Sequence, residues 1–314
     1  MLKDIIEVKG GFVRAVKITD YFDKELNRNK LESYYPVPEA RDAFYNISRG
    51  LHPTSKGRAH IISGTYGSGK SHFALVIANY LTKNSASEDL KTFFDRVREK
   101  DQPKAQEIYN IRNVDKPYLL ILIEGYDPGG VEHALLNGLK EALTDPVRGN
   151  LPEVALETYY STAIKKIEEW KEKKPEFFRE LEKYLDQNDT DIETLLSELK
   201  DLKEDALRLF REAHQQIALS DFDPFFGYKK VSEIYREICG YLIKGKGFKG
   251  IAVIWDQFND HLEAISPAYL GKEASLIRDF AETVERSGDT QIHLLLISHN
   301  LPHIYLQLTF TPSI

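Results

Sequence analysis

The fold is decided by the stretch AHIISGTYGSGKSHFALVIANYL, residues 59–81. Its first residues are mostly apolar and predict a short strand that ends at Gly64. From residue 73 to residue 80 the apolar side chains recur at helical spacing, which predicts a helix. Three glycines, a lysine and two serines lie between the two elements. A strand, a glycine-rich loop and a helix in this order are typical of a loop that wraps around phosphate groups.

The loop matches the pattern G-x-x-x-x-G-K-[ST] at every position from Gly64 to Ser71. Glycines let the backbone curl closely around a polyphosphate, and the following helix adds its N–H groups and positive dipole end. We expect Lys70 to reach the β- and γ-phosphates of ATP and the Ser71 hydroxyl to bind Mg²⁺. The flanking strand and helix favour this interpretation over a flexible glycine turn with an incidental lysine. The predicted nucleotide-binding residues are Gly64, Thr65, Tyr66, Gly67, Ser68, Gly69, Lys70, Ser71 and His72.

A second apolar run, IAVIWDQFNDHLE at residues 251–263, supplies the expected partner of the loop. IAVIWD predicts a strand with Asp256 at its carboxyl end, where an acid can hold Mg²⁺ from across the sheet, usually through water. Many strands end in aspartate, so a strand-end turn residue is the alternative. Together with the loop, the run predicts that Ser71 and Asp256 are the metal ligands.

Gln257 is the unexpected residue in this run. In P-loop ATPases with an additional strand between the two motifs, a glutamate usually follows the metal-binding aspartate and orients the attacking water as a base. Glutamine keeps the shape and can hydrogen-bond water, but it cannot accept a proton at neutral pH. Two explanations remain open. Gln257 is either an introduced replacement of glutamate that traps bound ATP, which the well-formed motif favours, or a native residue in a chain that hydrolyses ATP slowly.

The run QIHLLLISHN, residues 291–300, predicts a strand that ends in polar side chains. A polar residue at this point can contact the γ-phosphate or the attacking water. Asn300 is the favoured sensor and joins Lys70 and Gln257 in the predicted catalytic set, with Ser298 as the alternative. A helix cap in front of LPHIYLQL explains the same residues equally well.

Other polar residues carry weaker signals. Glu124 and Asp127 follow a predicted strand at the rim where ligands bind in such sheets, but solvated turn acids explain them better. A basic loop and two arginines are interpreted as solvated rather than as phosphate contacts or as fingers toward a neighbouring subunit; they are Lys244, Lys246, Lys249, Arg278 and Arg286. Both tryptophans, Trp170 and Trp255, are interpreted as core or interface residues.

The composition narrows the class of protein. Hydrophobic residues make up 42% and charged residues 29% of 314 residues, which is the balance of a soluble globular protein. No apolar run is long enough to cross a bilayer, and the N-terminus lacks an apolar signal core. Cys239 is the single cysteine, so no internal disulfide can form, and the nine histidines show no metal spacing. A net charge of −7 gives no general attraction to nucleic acid or anionic membrane, and a cytoplasmic location is expected.

Four apolar strands alternate with helices and predict an α/β fold with a parallel sheet flanked by helices, of the P-loop NTPase type (AAA+/ASCE-like). The four runs lie at 59–64, 117–125, 250–256 and 291–300. Residues 151–217 are rich in Glu, Lys and Leu at helical spacing and predict an α-helical insertion of two to four helices, broken near Pro175 and at DQNDTD. The predicted ATPase core is 58–150 with 218–314. An approach segment, 1–57, precedes it, with a strand at FVRAVKI and a helix from Pro38.

Several segments together resemble a known family. They are YYPVPEARDAFYNISRGL, RAHIISGTYGSGKSHFALVIANYL, VIWDQFNDHLE and LLLISHN. They are similar to the large P-loop ATPases of bacterial BREX-type phage-defence systems, the BrxC/PglY group, and the phosphorothioation-linked restriction ATPases have a related pattern. The likeness covers residues 12–85 and 251–303, and Gln257 departs from the Asp-Glu pair of the family's Walker B segment. The loop pattern itself is generic, whereas the preceding segment YPVPEA and the loop sequence GTYGSGKSHF are more specific to the family.

The resemblance implies a cytoplasmic ATPase that uses ATP and Mg²⁺ and couples nucleotide state to conformational change in a complex with other defence components, often a DNA methyltransferase. It leaves DNA contact and homo-oligomerisation open. The alternative is a nucleotide-gated switch or scaffold, which Gln257 favours if it is native. A small-molecule kinase is disfavoured by the strand between the two motifs. A fifth strand and a helical lid are not evident, so we expect the N-terminal part of a longer protein.

Overall fold

The apolar runs of the sequence form the long strands of one parallel sheet. The computed structural model describes residues 17–113, 116–223, 230–299 and 311–312. The strands are β1 Ala59–Ser63, β2 Tyr118–Glu124, β3 Gly250–Asp256, β4 Ile292–Ser298 and β5 Thr311–Pro312. Their order in the sheet is β2-β3-β4-β1-β5, and every neighbouring pair is parallel. The four predicted strands are confirmed, and the two-residue β5, which pairs with β1, was not evident in the sequence.

The register of the sheet brings the predicted motifs to one edge. Every residue of β3 and β4 is buried, as unbroken apolar runs in a helix-covered parallel sheet require. Ser63 lies opposite Ser298, and Glu124 lies opposite Asp256. Because parallel strands point the same way, their carboxyl ends share an edge. The loop after β1 and the acid that ends β3 therefore belong to the same rim of the sheet, with β4 between their strands.

Six helices precede or follow β1 in the first part of the chain. They are α1 Ile18–Tyr21, α2 Asn27–Ser33, α3 Pro38–Gly50, α4 Lys70–Thr82, α5 Glu88–Lys100 and α6 Gln102–Arg112. The predictions of α3, with a proline in its first turn, and of α4 are confirmed. The predicted strand FVRAVKI falls mostly outside the described residues, and Ile18, its last residue, begins α1 instead.

A buried arginine anchors the end of α4. Arg112 is fully buried, and its guanidinium donates to the carbonyl oxygens of Tyr80 at 2.9 Å, Lys83 at 3.0 Å and Lys116 at 3.0 Å. The last carbonyls of a helix lack partners within the helix, and a cation at this end also complements the helix dipole. Burial lowers the pKa of Arg112, but a guanidinium keeps its proton in proteins. The buried charge is thus satisfied by carbonyl oxygens.

The chain divides into two compact units, residues 1–128 with 239–314, and residues 129–238. The second unit contains α7 Gly130–Thr144, α8 Pro152–Lys173, α9 Pro175–Asp186, α10 Ile192–Lys200 and α11 Glu204–Ala218. Four helices thus occupy the block for which two to four were predicted, and the breaks fall at Pro175 and at 187–191 as expected. They bury a core of their own around Trp170 and Phe210. This unit extends beyond the predicted insertion, 151–217, at both ends.

Three more helices complete the described residues. They are α12 Val231–Gly245, α13 Phe258–Ala264 and α14 Pro267–Glu285. Helix α14 begins at Pro267, and proline fits the first turn of a helix. The short α13, directly after β3, was not foreseen. Among the described residues, none of the helices combines the length and the apolar character needed to span a membrane.

Candidate functional site

The loop between β1 and α4 has the backbone that its glycines permit. Gly67 has φ 78° and Gly69 has φ 88°, in the left-handed region that side chains disfavour. Gly69 occupies the cap position of α4, and no side chain caps this end. The first N–H groups of a helix have no partners within the helix and attract anions. Tyr66, at the outside of the loop, is 75% exposed.

Lys70 is folded back onto this loop. Its side chain is only 8% exposed, and Nζ donates to the carbonyl oxygens of Gly64 at 2.6 Å and Thr65 at 2.9 Å. Burial lowers the pKa of Lys70, while the charge of Asp256 acts in the opposite direction. Nζ also lies 3.5 Å from the Ser68 hydroxyl oxygen. A buried ammonium whose hydrogen-bond partners are all neutral is short of negative charge. An anion in the loop would supply that charge.

Asp256 lies at the end of β3 as predicted, and it is only 3% exposed. Its Oδ1 accepts from the backbone N–H of Gln257 at 2.9 Å. Its Oδ2 is buried and has no hydrogen-bond partner among the described residues. Burial is the main cause that raises the pKa of Asp256, while the nearby Ser71 hydroxyl and the N–H of Gln257 act to lower it. The two predicted metal ligands, Ser71 and Asp256, are therefore neighbours.

These two residues fit a magnesium ion that keeps most of its water. Mg²⁺ is usually bound through one or two protein oxygens together with substrate phosphates, rather than by a full protein cage. The buried, unpartnered Oδ2 of Asp256 beside the Ser71 hydroxyl is such a donor set. Among the described residues, no group of three or more His, Cys, Asp or Glu side chains could hold a metal by itself.

Gln257 adopts an uncommon backbone conformation between β3 and α13. Its φ of 55° and ψ of 36° place it in the left-handed region, where residues other than glycine are uncommon. Its Oε1 lies 3.7 Å from the position that a β-carbon on Gly125 would take. The side chain therefore leans toward the end of β2. Strained backbone of this kind clusters at functional sites.

The end of β4 brings two further polar residues to the rim. The backbone N–H of His299 donates to Oδ1 of the buried Asn259 at 3.1 Å. The centroid of the His299 ring lies 5.2 Å from the centroid of the Tyr66 ring. Its Nδ1 is buried without a hydrogen-bond partner among the described residues. Asn259 and His299 were not singled out from the sequence, because their proximity depends on the pairing of distant strands. Asn300 lies outside the described residues, and Ser298 is buried in β4.

The residues with weaker sequence signals fall into two groups, the acids at and after the end of β2 and the basic residues elsewhere. Glu124 lies at the rim, half-buried, where Oε2 accepts from Thr19 Oγ1 at 2.9 Å and Oε1 faces Lys17 Nζ at 3.4 Å. Its interpretation as a solvated turn acid is therefore wrong. The backbone N–H of Asp127 donates to Nδ1 of His261 at 3.2 Å.

The basic loop lies at the opposite edge of the sheet. Lys249 directly precedes β3, so it is at the amino end of a strand whose carboxyl end carries the predicted metal ligand. It is partly buried, and burial together with the charge of Arg112 lowers its pKa. Arg286 forms an exposed ion pair with Glu282 at 3.5 Å. Both tryptophans are fully buried in the cores of their units.

A cavity of about 460 Å³ adjoins the loop. On one side it is lined by the loop itself, including Gly64 and Lys70, and on the other by the segment from Tyr34 to Ala43. Aromatic and aliphatic walls with a few polar groups are typical of small-molecule sites. Two other cavities, of about 510 and 730 Å³, lie within the helical unit and contain none of the predicted site residues.

No protein-family model matches the chain, and neither the search of curated proteins nor that of solved structures found a significant match. The resemblance to the phage-defence ATPases therefore rests on the residues that carry it.

Proposed function

We propose that the chain binds Mg-ATP in the loop between β1 and α4 and hydrolyses it. The observation that carries this proposal is the buried carboxylate of Asp256, which interacts with the Ser71 hydroxyl and whose Oδ2 has no hydrogen-bond partner among the described residues. A carboxylate oxygen held in this state is destabilising unless a cation completes it. Lys70 and the uncapped start of α4 offer the complementary site for an anion. Cation and anion sites side by side are what a metal–nucleotide complex requires.

Each residue has a distinct role in this proposal. Lys70 leaves its carbonyl partners and binds the β- and γ-phosphates, while the N–H groups of the loop surround them. Ser71 and Asp256 would hold Mg²⁺, which neutralises charge that develops on the phosphates. The cavity next to the loop offers space for the remainder of the nucleotide. The P-loop NTPase fold, AAA+/ASCE-like, is supported by β4 lying between the strand that precedes the loop and the strand that ends in Asp256.

The biological setting of this activity comes from the resemblance alone. We propose a cytoplasmic role in a bacterial phage-defence complex of the BREX type, in which nucleotide state drives conformational change. Partners of this class include a DNA methyltransferase, and further copies of the chain are a second class of partner. The alternative function is a switch that binds ATP without useful turnover, and one observation favours it: Gln257 cannot accept a proton.

The test is Mg-ATP binding by the chain and by Lys70→Ala, measured by calorimetry with Mg²⁺ and with a chelator. Loss of charge-assisted hydrogen bonds of about 1.5–3 kcal/mol should weaken binding roughly 10- to 150-fold. Binding by the unaltered chain should also weaken when Mg²⁺ is removed. Affinity retained by Lys70→Ala would refute the assignment of the loop. Phosphate release in the same samples separates the enzyme from the switch.

A further inference from the structure

Glu124 and Gln257 lie side by side at the rim of the sheet. The acid ends β2, whereas the acid expected in such an ATPase would follow Asp256 at the end of β3. Glu124 ends β2 directly opposite Asp256, which ends β3. Gln257 follows Asp256, and its Oε1 leans toward Gly125, the residue after Glu124. The backbone N–H of Gly125 donates to the carbonyl oxygen of Asp256 at 2.9 Å, which ties the two strand ends together. A carboxylate is thus available next to the metal-binding strand although position 257 holds none.

The two oxygens of Glu124 are in different situations. Oε2 is fixed by the hydroxyl of Thr19 at 2.9 Å. Oε1 is buried and makes no hydrogen bond among the described residues, while Lys17 Nζ stands 3.4 Å away as an ion-pair partner. The side chain is 21% exposed. The Thr19 hydroxyl therefore holds one oxygen in place, and the other makes no hydrogen bond among the described residues. This is the arrangement expected of an oriented base.

Glu124 is also close enough to Asp256 for their charges to interact. The charge of Glu124 is one of the causes that raise the pKa of Asp256. Two carboxylates at one rim repel each other, and Mg²⁺ with its bound phosphates relieves that repulsion.

We propose that Glu124 is the general base of ATP hydrolysis in this chain and does the work that Gln257 cannot do. The inference rests on the proposed function of the loop. In the step, the oxygen of a water forms a bond to the γ-phosphorus, and one proton of that water moves to Oε1 of Glu124. The bond from the γ-phosphorus to the bridging oxygen breaks, and ADP leaves with the electron pair on that oxygen. The proton then passes to the released phosphate. The amide of Gln257 orients the same water by hydrogen bonding.

The test compares Glu124→Gln with Glu263→Gln, which removes the same charge from an exposed position on α13. Mg-ATP binding and phosphate release are measured for the unaltered chain and for both variants. Glu124→Gln should lower the turnover rate roughly 10²- to 10⁴-fold, the usual contribution of a general base, with affinity changed by less than about threefold. Glu263→Gln should match the unaltered chain. If Glu124→Gln does not fold, Glu124→Asp keeps the charge with a shorter reach and should bind Mg-ATP but turn over more slowly.

The remaining outcomes overturn the inference in distinguishable ways. Undiminished turnover by Glu124→Gln removes Glu124 from the chemistry. If the unaltered chain binds Mg-ATP without turnover and Gln257→Glu turns over, the base belongs at position 257 and only ATP binding survives. If the unaltered chain does not bind Mg-ATP, the proposed function itself fails, and this inference fails with it.

Discussion

Asp256→Asn should stabilise the nucleotide-free protein while weakening its affinity for Mg-ATP. The carboxylate is buried, and one of its oxygens lacks a hydrogen-bond partner among the described residues. An unsatisfied buried acceptor costs about 1–3 kcal/mol, and the neutral amide has nearly the same shape. We expect a gain of about 1 kcal/mol, or about 2–4 °C in melting temperature for a unit of roughly 200 residues.

The effect should depend on pH with a definite sign. Burial raises the pKa of Asp256 in the folded state above its unfolded value, so the folded protein holds this proton more tightly. The stability contributed by Asp256 is therefore fully present below the unfolded value, near pH 4, and is lost as the pH rises through the raised folded pKa. The advantage of Asp256→Asn should grow over the same window. Urea denaturation at several pH values, without nucleotide, measures it.

The predicted loss of affinity for Mg-ATP can be measured on the same protein samples. Mg-ATP should raise the melting temperature of the unaltered chain, and this rise should shrink in Asp256→Asn because the metal loses its carboxylate. Asp279→Asn, at an exposed position on α14, is the control and should change neither quantity. A variant that is less stable than the unaltered chain, or that shows the same rise with Mg-ATP, would refute the argument that Asp256 is held ready for a metal.

Three further predictions test the loop and the buried polar groups. Gly69→Ala puts a β-carbon at φ 88° and should lower stability by about 1–2 kcal/mol and weaken Mg-ATP binding, as urea denaturation and calorimetry would register. Arg112→Met removes the donor from one buried and two partly buried carbonyl oxygens and should lower the free energy of unfolding by about 3–5 kcal/mol. Arg98→Met at the surface should change it by less than about 0.5 kcal/mol, and equal effects would contradict the anchoring role. Burial lowers the pKa of His60 to about 4, so stability should fall by roughly 3 kcal/mol as the pH drops from about 6.5 to 4. His60→Gln should remove most of that dependence.

The helices and strands could be predicted from the sequence more completely than the contacts of the candidate site residues. Strands β2, β3 and β4 are long unbroken apolar runs, and α3 and α9 begin at prolines, so local patterns were enough to find them. The short α13 has only seven residues, too few for a helical period to stand out.

The candidate residues of the loop and the acid of β3 could be predicted from spacing, because a phosphate site would impose a fixed local pattern. The partners of Glu124 could not be predicted in this way. Its partners, Thr19 and Lys17, lie more than a hundred residues earlier in the chain, and a single sequence carries no signal of such a pairing. The unpartnered oxygen of Asp256 and the contact between Asn259 and His299 are likewise products of register across the sheet.

The order of the strands also sets the moment at which the site can form during synthesis. The loop follows β1, yet β1 reaches β3 only through β4, where Ala59 pairs with Leu294. A ribosome adding about 5–20 residues per second needs on the order of 10–50 s to pass from one to the other. Until β4 has been synthesised, β1 lacks the long strand that pairs with it. The nascent chain must therefore protect an apolar strand edge for that interval, and the proposed nucleotide site can form only after β4 has been synthesised.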